Sequence, residues 1–167
     1  MKKAYFAGGC FWCMESARRD AEGVIKAVSG YSGGGERNPK YEDVKAQRTG
    51  HRETVEIEYD EEKTSFETLL GVYLCSIDPN DGEGQFIDRG RSYTCAVYCN
   101  DGREEEIART ALDALEKESG MKPMVSVERF AFFCPAEEYH IGYSLKNPEA
   151  YKEEYRVSGR EEFFGKK

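Results

Sequence analysis

Long hydrophobic runs are missing from this chain. No stretch approaches the ~18 apolar residues of a membrane-spanning helix, so no membrane association is expected. Met1-Lys2-Lys3 begins like an export signal, but the apolar run behind it stops at Gly8-Gly9, too soon for a signal core. Basic charge is scarce as well: 24 Lys and Arg stand against 32 Asp and Glu, a net charge of -8. A nucleic-acid binder needs a basic face to neutralise phosphates, so that class is set aside. Histidine occurs only twice, which limits imidazole chemistry to His51 and His140. No repeat, low-complexity tract or linker divides the chain. A cytoplasmic protein is the expectation.

Aromatic residues are plentiful, with 11 Tyr and 9 Phe among 167 residues, and they supply large buried areas to a core. A chain of this length buries roughly two-thirds of its unfolded surface and folds without disulfide staples. One catalytic domain over residues 1–167 is expected.

Apolar patterning places strands near 3–7, 24–28, 54–59, 93–99 and 125–133. Helices are expected over 11–21, from Ser65 through Leu74, over 103–119 before Gly120, and over 136–145. Strands and helices interleave, which predicts an α+β fold: a two-layer sandwich with a mixed or antiparallel sheet and helices packed on it. Two loops, roughly 29–51 and 77–92, exceed what a connector needs, and long ordered loops tend to carry function. Both hold Gly, Tyr and carboxylates, so they are candidates to converge on one site.

Six cysteines stand at 10, 13, 75, 95, 99 and 134. Without an export signal they read as thiols rather than a disulfide framework. Cys10 follows Gly8-Gly9 where a strand meets a helix; the unpaired N–H groups there favour an anion, which predicts a lowered thiol pKa. Cys13, three residues on, lies within disulfide reach on the same turn. Zinc held by Cys10, Cys13, Cys95 and Cys99 is the alternative, disfavoured because Cys95 and Cys99 sit within one strand with no turn between them. Cys75, Cys95 and Cys99 read as core residues. Cys134, before Pro135, is the second choice for a partner thiol.

The run Gly8-Gly9-Cys10-Phe11-Trp12-Cys13-Met14-Glu15 resembles the nucleophile segment of the A-class peptide methionine sulfoxide reductases. The similarity continues through Gly30-Tyr31-Ser32-Gly33-Gly34, Asn38-Pro39-Lys40-Tyr41 and Thr49-Gly50-His51-Arg52-Glu53. It resumes at Asp78-Pro79, Gln85, Asp88, Gly90, Tyr93, Pro135 to His140, and Lys146-Asn147-Pro148. The resemblance implies an α+β sandwich and reduction of methionine S-sulfoxide, free or in proteins, to methionine. By it, Cys10 attacks the sulfoxide sulfur and Glu53 protonates the oxygen, which requires a raised carboxyl pKa. Tyr41 and Tyr93 would hydrogen-bond the oxygen, Asp88 would orient a water or the polar loop, and Phe11 and Trp12 would wall the S-methyl pocket.

Oxygen transfer leaves a sulfenic acid that a second thiol condenses with. Many relatives use a cysteine on a glycine-rich C-terminal tail, but no cysteine follows Cys134 here, so Cys13 is the favoured resolver and thioredoxin, or a similar dithiol protein, the expected reductant. Neither cofactor nor metal is implied. His51 and His140 read as structural hydrogen-bonding residues. Ile77 and Thr94 depart from the His and Arg common at those places. A thioredoxin-like dithiol oxidoreductase is the main rival; it accounts for Cys-x-x-Cys but not for the two loops, and Gly9 stands where its usual Trp would be. A zinc-binding module is the other.

Overall fold

The computed structural model describes residues 1–165; the last two residues of the expected domain lie outside the described range. In chain order the elements are β1 (Lys2–Ala7), α1 (Phe11–Arg19), β2 (Val24–Ser32), α2 (Tyr41–Lys45), β3 (Arg52–Tyr59) and α3 (Phe66–Cys75). There follow β4 (Gly84–Gln85), β5 (Asp88–Arg89), a 3-10 turn at Arg91–Tyr93, β6 (Cys95–Cys99), α4 (Gly102–Ser119), β7 (Val125–Arg129) and β8 (Cys134–Pro135). A second 3-10 turn (Glu138–His140), α5 (Tyr143–Lys146), α6 (Pro148–Val157) and α7 (Arg160–Gly165) complete the described chain.

Six strands form one sheet in the order β7-β6-β1-β3-β2-β8, while β4 and β5 form a separate small hairpin. Among the described residues only β6 and β7 run parallel, and α4 supplies the crossover that a parallel pair needs. The mixed sheet with helices against it is the α+β sandwich expected from the sequence.

Alternation along the strands separates two cores. Ala4, Phe6, Val55, Ile57, Cys95, Val97 and Cys99 face Phe11 and Met14 of α1, Leu69, Leu70 and Tyr73 of α3, and Ala108 of α4. Tyr5, Ala7, Ala96 and Tyr98 face the other way, under Phe130 and Phe133. The strand expected over 125–133 therefore ends at Arg129: the chain turns over this second face, and Phe130 stacks on Tyr5 at 3.9 Å.

Other boundaries also move. β2 runs on to Ser32 because it pairs with β3 as far as Arg52 and with β8 at Gly30 and Tyr31. The strand expected from 93 begins at Cys95, with Tyr93 in the 3-10 turn. The helix expected over 136–145 splits into the second 3-10 turn and α5, with Gly142 at φ 69° between them, a conformation that favours glycine. Cys75 is exposed at the end of α3, which corrects its reading as a core residue; Cys95 and Cys99 are buried. Neither α6 nor α7 was anticipated. Among the described residues no helix is long and apolar enough to cross a membrane.

Candidate active site

β1 ends beneath the start of α1, and Gly8-Gly9 make the turn. Gly9 adopts φ 84°, and a Cβ there would stand 2.7 Å from Cβ of Gln85; both the backbone and the space require glycine. Tyr73 anchors the strand end by donating its hydroxyl to the Ala7 carbonyl at 2.7 Å. Cys10 is the N-cap of α1, its carbonyl accepting from the N–H groups of Cys13 and Met14 at 3.1 and 3.2 Å.

The antiparallel register pairs Ala7 with Thr54, which puts Glu53 just past the end of β1, under this helix start. Glu53 belongs to the inward-facing row of Val55 and Ile57, so a carboxyl occupies a core position and is 1 % exposed. Its Oε1 accepts from the Phe11 N–H at 3.1 Å, while Oε2 has no well-formed hydrogen bond. Burial raises the carboxyl from its ordinary 4.5 to about 8; the Phe11 N–H and the Tyr93 hydroxyl beside it oppose the rise, and the charge of Asp88 adds to it. Near neutral pH a large fraction of Glu53 is thus a protonated acid, able to give a proton away.

Cys10 and Cys13 form one unit. The Cys10 thiol hydrogen-bonds toward Cys13, which together with burial and the charges of Cys13 and Glu53 holds Cys10 well above its ordinary range. Cys13 is lowered by that same hydrogen bond, against burial, and further by Arg160 and the Tyr151 hydroxyl. The helix N-terminus was expected to make Cys10 the acidic thiol. The structure corrects this: the hydrogen bond to Cys13 and burial raise Cys10 despite the helix start, and Cys13 is the sulfur of the pair that is lowered.

One pocket of about 260 Å³ gathers Cys10, Phe11, Trp12, Cys13, Tyr41, Glu53, Asp88 and Tyr93: the seven residues given a role by the resemblance, and Cys13, favoured as resolver for its place on the same turn. Tyr41 arrives on α2 from the first long loop, and Asp88 and Tyr93 from the second. Burial, with the charge of Glu53 next, raises both tyrosine hydroxyls, so they remain donors. Trp12 is held by donating Nε1–H to Nδ1 of His140 at 3.1 Å and by stacking on Tyr143 at 3.8 Å. His51 accepts from the Gly34 N–H through Nδ1. Both histidines therefore serve loop and ring placement.

Cys134 is half-buried on β8, its thiol against the Arg37 carbonyl at 3.1 Å, and it does not line the pocket. Among the described residues no three His, Cys, Asp or Glu side chains converge as a metal site.

The arrangement also depends on residues whose roles patterning alone did not reveal. Glu15 ties α1 to β2 by accepting from the Ser29 hydroxyl at 2.6 Å, and ties it to the chain before α5 by accepting from the Gly142 N–H at 2.7 Å. Glu137 accepts from the Tyr31 hydroxyl and the Tyr41 N–H at 2.8 and 3.0 Å, fixing the start of α2. The C-terminal helices contribute Tyr151, Glu154, Val157 and Arg160 to the pocket wall. Asn147-Pro148 is a readable helix start, but nothing local says where that helix packs.

The sequence matches the family model for peptide methionine sulfoxide reductase over residues 2–167. The chain belongs to that family. A protein of Halalkalibacterium halodurans named peptide methionine sulfoxide reductase MsrA is 46 % identical over 168 residues, covering 99 % of this chain and 96 % of that protein. Among solved structures, methionine sulfoxide reductase A of Corynebacterium diphtheriae superposes with a TM-score of 0.79 at 28 % identity, over 88 % of this chain and 75 % of that one. Reduced Mxr1 of Saccharomyces cerevisiae shares the fold, with a TM-score of 0.83 at 24 % identity over 89 % of this chain and 86 % of its own; the same yeast protein has been solved in complex with Trx2. The chain is therefore an enzyme, a thiol-dependent peptide methionine sulfoxide reductase.

Proposed function

We propose that residues 1–167 act as one catalytic domain that reduces the S epimer of methionine sulfoxide, with Cys10 as nucleophile, Glu53 as acid and Cys13 as resolving thiol. The observation that carries this reading is the pairing of a buried carboxyl, raised to about 8, with a thiol pair in one pocket. Sulfoxide oxygen is a poor leaving group until protonated, and a carboxyl kept neutral by burial is the donor such chemistry needs.

The substrate S-methyl group lies against Phe11 and Trp12, where a thioether finds apolar and aromatic contact. Tyr41 and Tyr93 donate hydrogen bonds to the sulfoxide oxygen, and their raised pKa values keep those protons in place. Asp88, paired with Arg160 at 3.2 Å, holds the hairpin that forms this side of the pocket. Cys10 passes its proton toward Cys13 as its sulfur attacks the sulfoxide sulfur. Glu53 delivers a proton to the oxygen, the oxygen is transferred to Cys10, and methionine leaves as the thioether. Cys10 is then a sulfenic acid.

Cys13 attacks that sulfur next, forming the Cys10–Cys13 disulfide and releasing the oxygen as water. A dithiol protein of the thioredoxin type takes the disulfide, giving up two electrons and two protons and becoming a disulfide itself. The thiol pair lines the pocket and is partly accessible, which suits that exchange, and the Trx2 complex of the yeast fold relative is consistent with it.

Turnover of the two separated sulfoxide epimers of a blocked methionine, with dithiothreitol as reductant, tests the reading. Wild type is expected to reduce the S epimer alone and Cys10→Ser neither; no turnover of either epimer by folded wild type overturns it. Cys13→Ser is expected to complete one sulfoxide reduction per chain but to stall with thioredoxin. Wild-type turnover of that variant with thioredoxin removes Cys13 from the resolving role.

A further inference from the structure

We propose that Arg160 is a positioning residue that holds the negative charge of the Cys10–Cys13 thiol pair, and that Asp88 competes with the thiols for it. The inference rests on the reading above, in which that pair is the reacting centre.

Arg160 opens α7, far from the nucleophile in sequence, yet its side chain is only 5 % exposed. A Cβ built on Gly9 would stand 2.9 Å from its Nη2, so the guanidinium lies against the backbone immediately before Cys10. The ring of Phe86 lies 4.8 Å from the guanidinium carbon, and Nη2 donates to Asp88 Oδ2 at 3.2 Å. A buried cation needs anionic company. Asp88 supplies some, but its side chain is 25 % exposed, which weakens a carboxylate's hold through solvent screening. Burial works against the charged guanidinium; Cys13, Cys10 and then Asp88, in that order of weight, keep it charged.

The other ionisable groups around the thiols do not replace this cation. Glu53 carries little charge below about 8, while Asp88 and Glu154 can only repel a thiolate. Tyr41, Tyr93, Tyr143, Tyr151 and Tyr155 are all raised by burial first and so are neutral. Lys45 lines the same pocket but is exposed on α2. Arg160 is the buried cation of the group. Its place in the chain gives the C-terminal helices a role in the chemistry, because they carry a positive charge to the thiol pair.

Peptide-resolved iodoacetamide alkylation of the reduced protein, followed from pH 5 to 10, reads the thiolate directly and ignores exposed Cys75. Arg160→Met keeps an unbranched apolar side chain over Phe86 and removes the charge. It is expected to move the onset of Cys10 and Cys13 alkylation up by about one pH unit, a roughly tenfold slower reaction below the onset. Arg160→Lys is expected to restore most of it. Asp88→Asn frees the guanidinium for the thiols and is expected to move the onset down. An Arg160→Met profile that overlays wild type, in protein with wild-type circular dichroism, overturns the proposal, as does a shift of both variants in the same direction. If Arg160→Met does not fold, Asp88→Asn decides: an unmoved or raised onset overturns the assignment. Should the shifts appear in a protein that reduces neither sulfoxide epimer, this charge relation stands and the residue roles proposed above fall.

Discussion

Replacing Glu53 by Gln swaps a buried carboxyl for an amide of nearly the same shape, and the consequences can be worked out from its surroundings. The folded pKa of about 8 lies above the ordinary 4.5, so folding favours the protonated form. The stability this group allows is fully present below 4.5 and is lost as pH rises through about 8. At ~1.4 kcal/mol for each unit, the gap between 4.5 and about 8 makes the ionised state costlier by about 5 kcal/mol. Glu53→Gln cannot ionise and escapes that cost, while its Oε1 still accepts from Phe11. Urea denaturation of both proteins at pH 5 and pH 9 measures the difference. The two should be of similar stability at pH 5, and the variant should gain several kcal/mol over wild type at pH 9.

Activity should move the opposite way. An amide does not protonate the sulfoxide oxygen, so kcat should fall by about 10² to 10⁴, and the alkaline decline of wild type near pH 8 should vanish from the residual activity. A stability difference that is the same at both pH values would show that Glu53 is not held neutral by burial. Full activity in Glu53→Gln would remove it from the chemistry.

Tyr41→Phe and Tyr93→Phe should each lower kcat by one to two orders of magnitude with a smaller change in KM, because an oxygen that gains negative charge benefits most in the transition state; steady-state kinetics with the S epimer checks this, and an unchanged kcat in both refutes it. Gly30→Ala should destabilise the fold by about 1–3 kcal/mol, since a Cβ there runs into the Phe133 ring and the Cys134 carbonyl. Thermal unfolding at a single pH is sufficient, and a Tm within one degree of wild type would contradict the packing described for β2 and β8.

Much of this protein is legible in the order of its residues, because the signals are local. Alternation marks β3, glycines mark the turn before Cys10, and a Cys-x-x-Cys at a strand-to-helix junction marks a redox pair before any contact is known. The motif resemblance supplied Phe11, Trp12, Tyr41, Glu53, Asp88 and Tyr93, and those it named from two distant loops do line one cavity.

Tertiary structure decided what depends on surroundings. Cys10 has a helix N-terminus in its sequence, but only the fold sets the Cys13 sulfur against it and takes it out of water, and those reverse the direction of its pKa. Cys75 sits on an apolar helix, yet the direction that helix turns toward the sheet leaves it exposed. Glu53 is one acid among 32 in the sequence. It is held as a neutral carboxyl because the β1–β3 register carries it under α1, out of water. Nothing local marks Arg160, and it is the packing of α7 against the β4–β5 hairpin that brings it to the thiols. Local residue order sets which elements can form; desolvation and charge proximity are sums over the whole fold, and they set what the side chains can do.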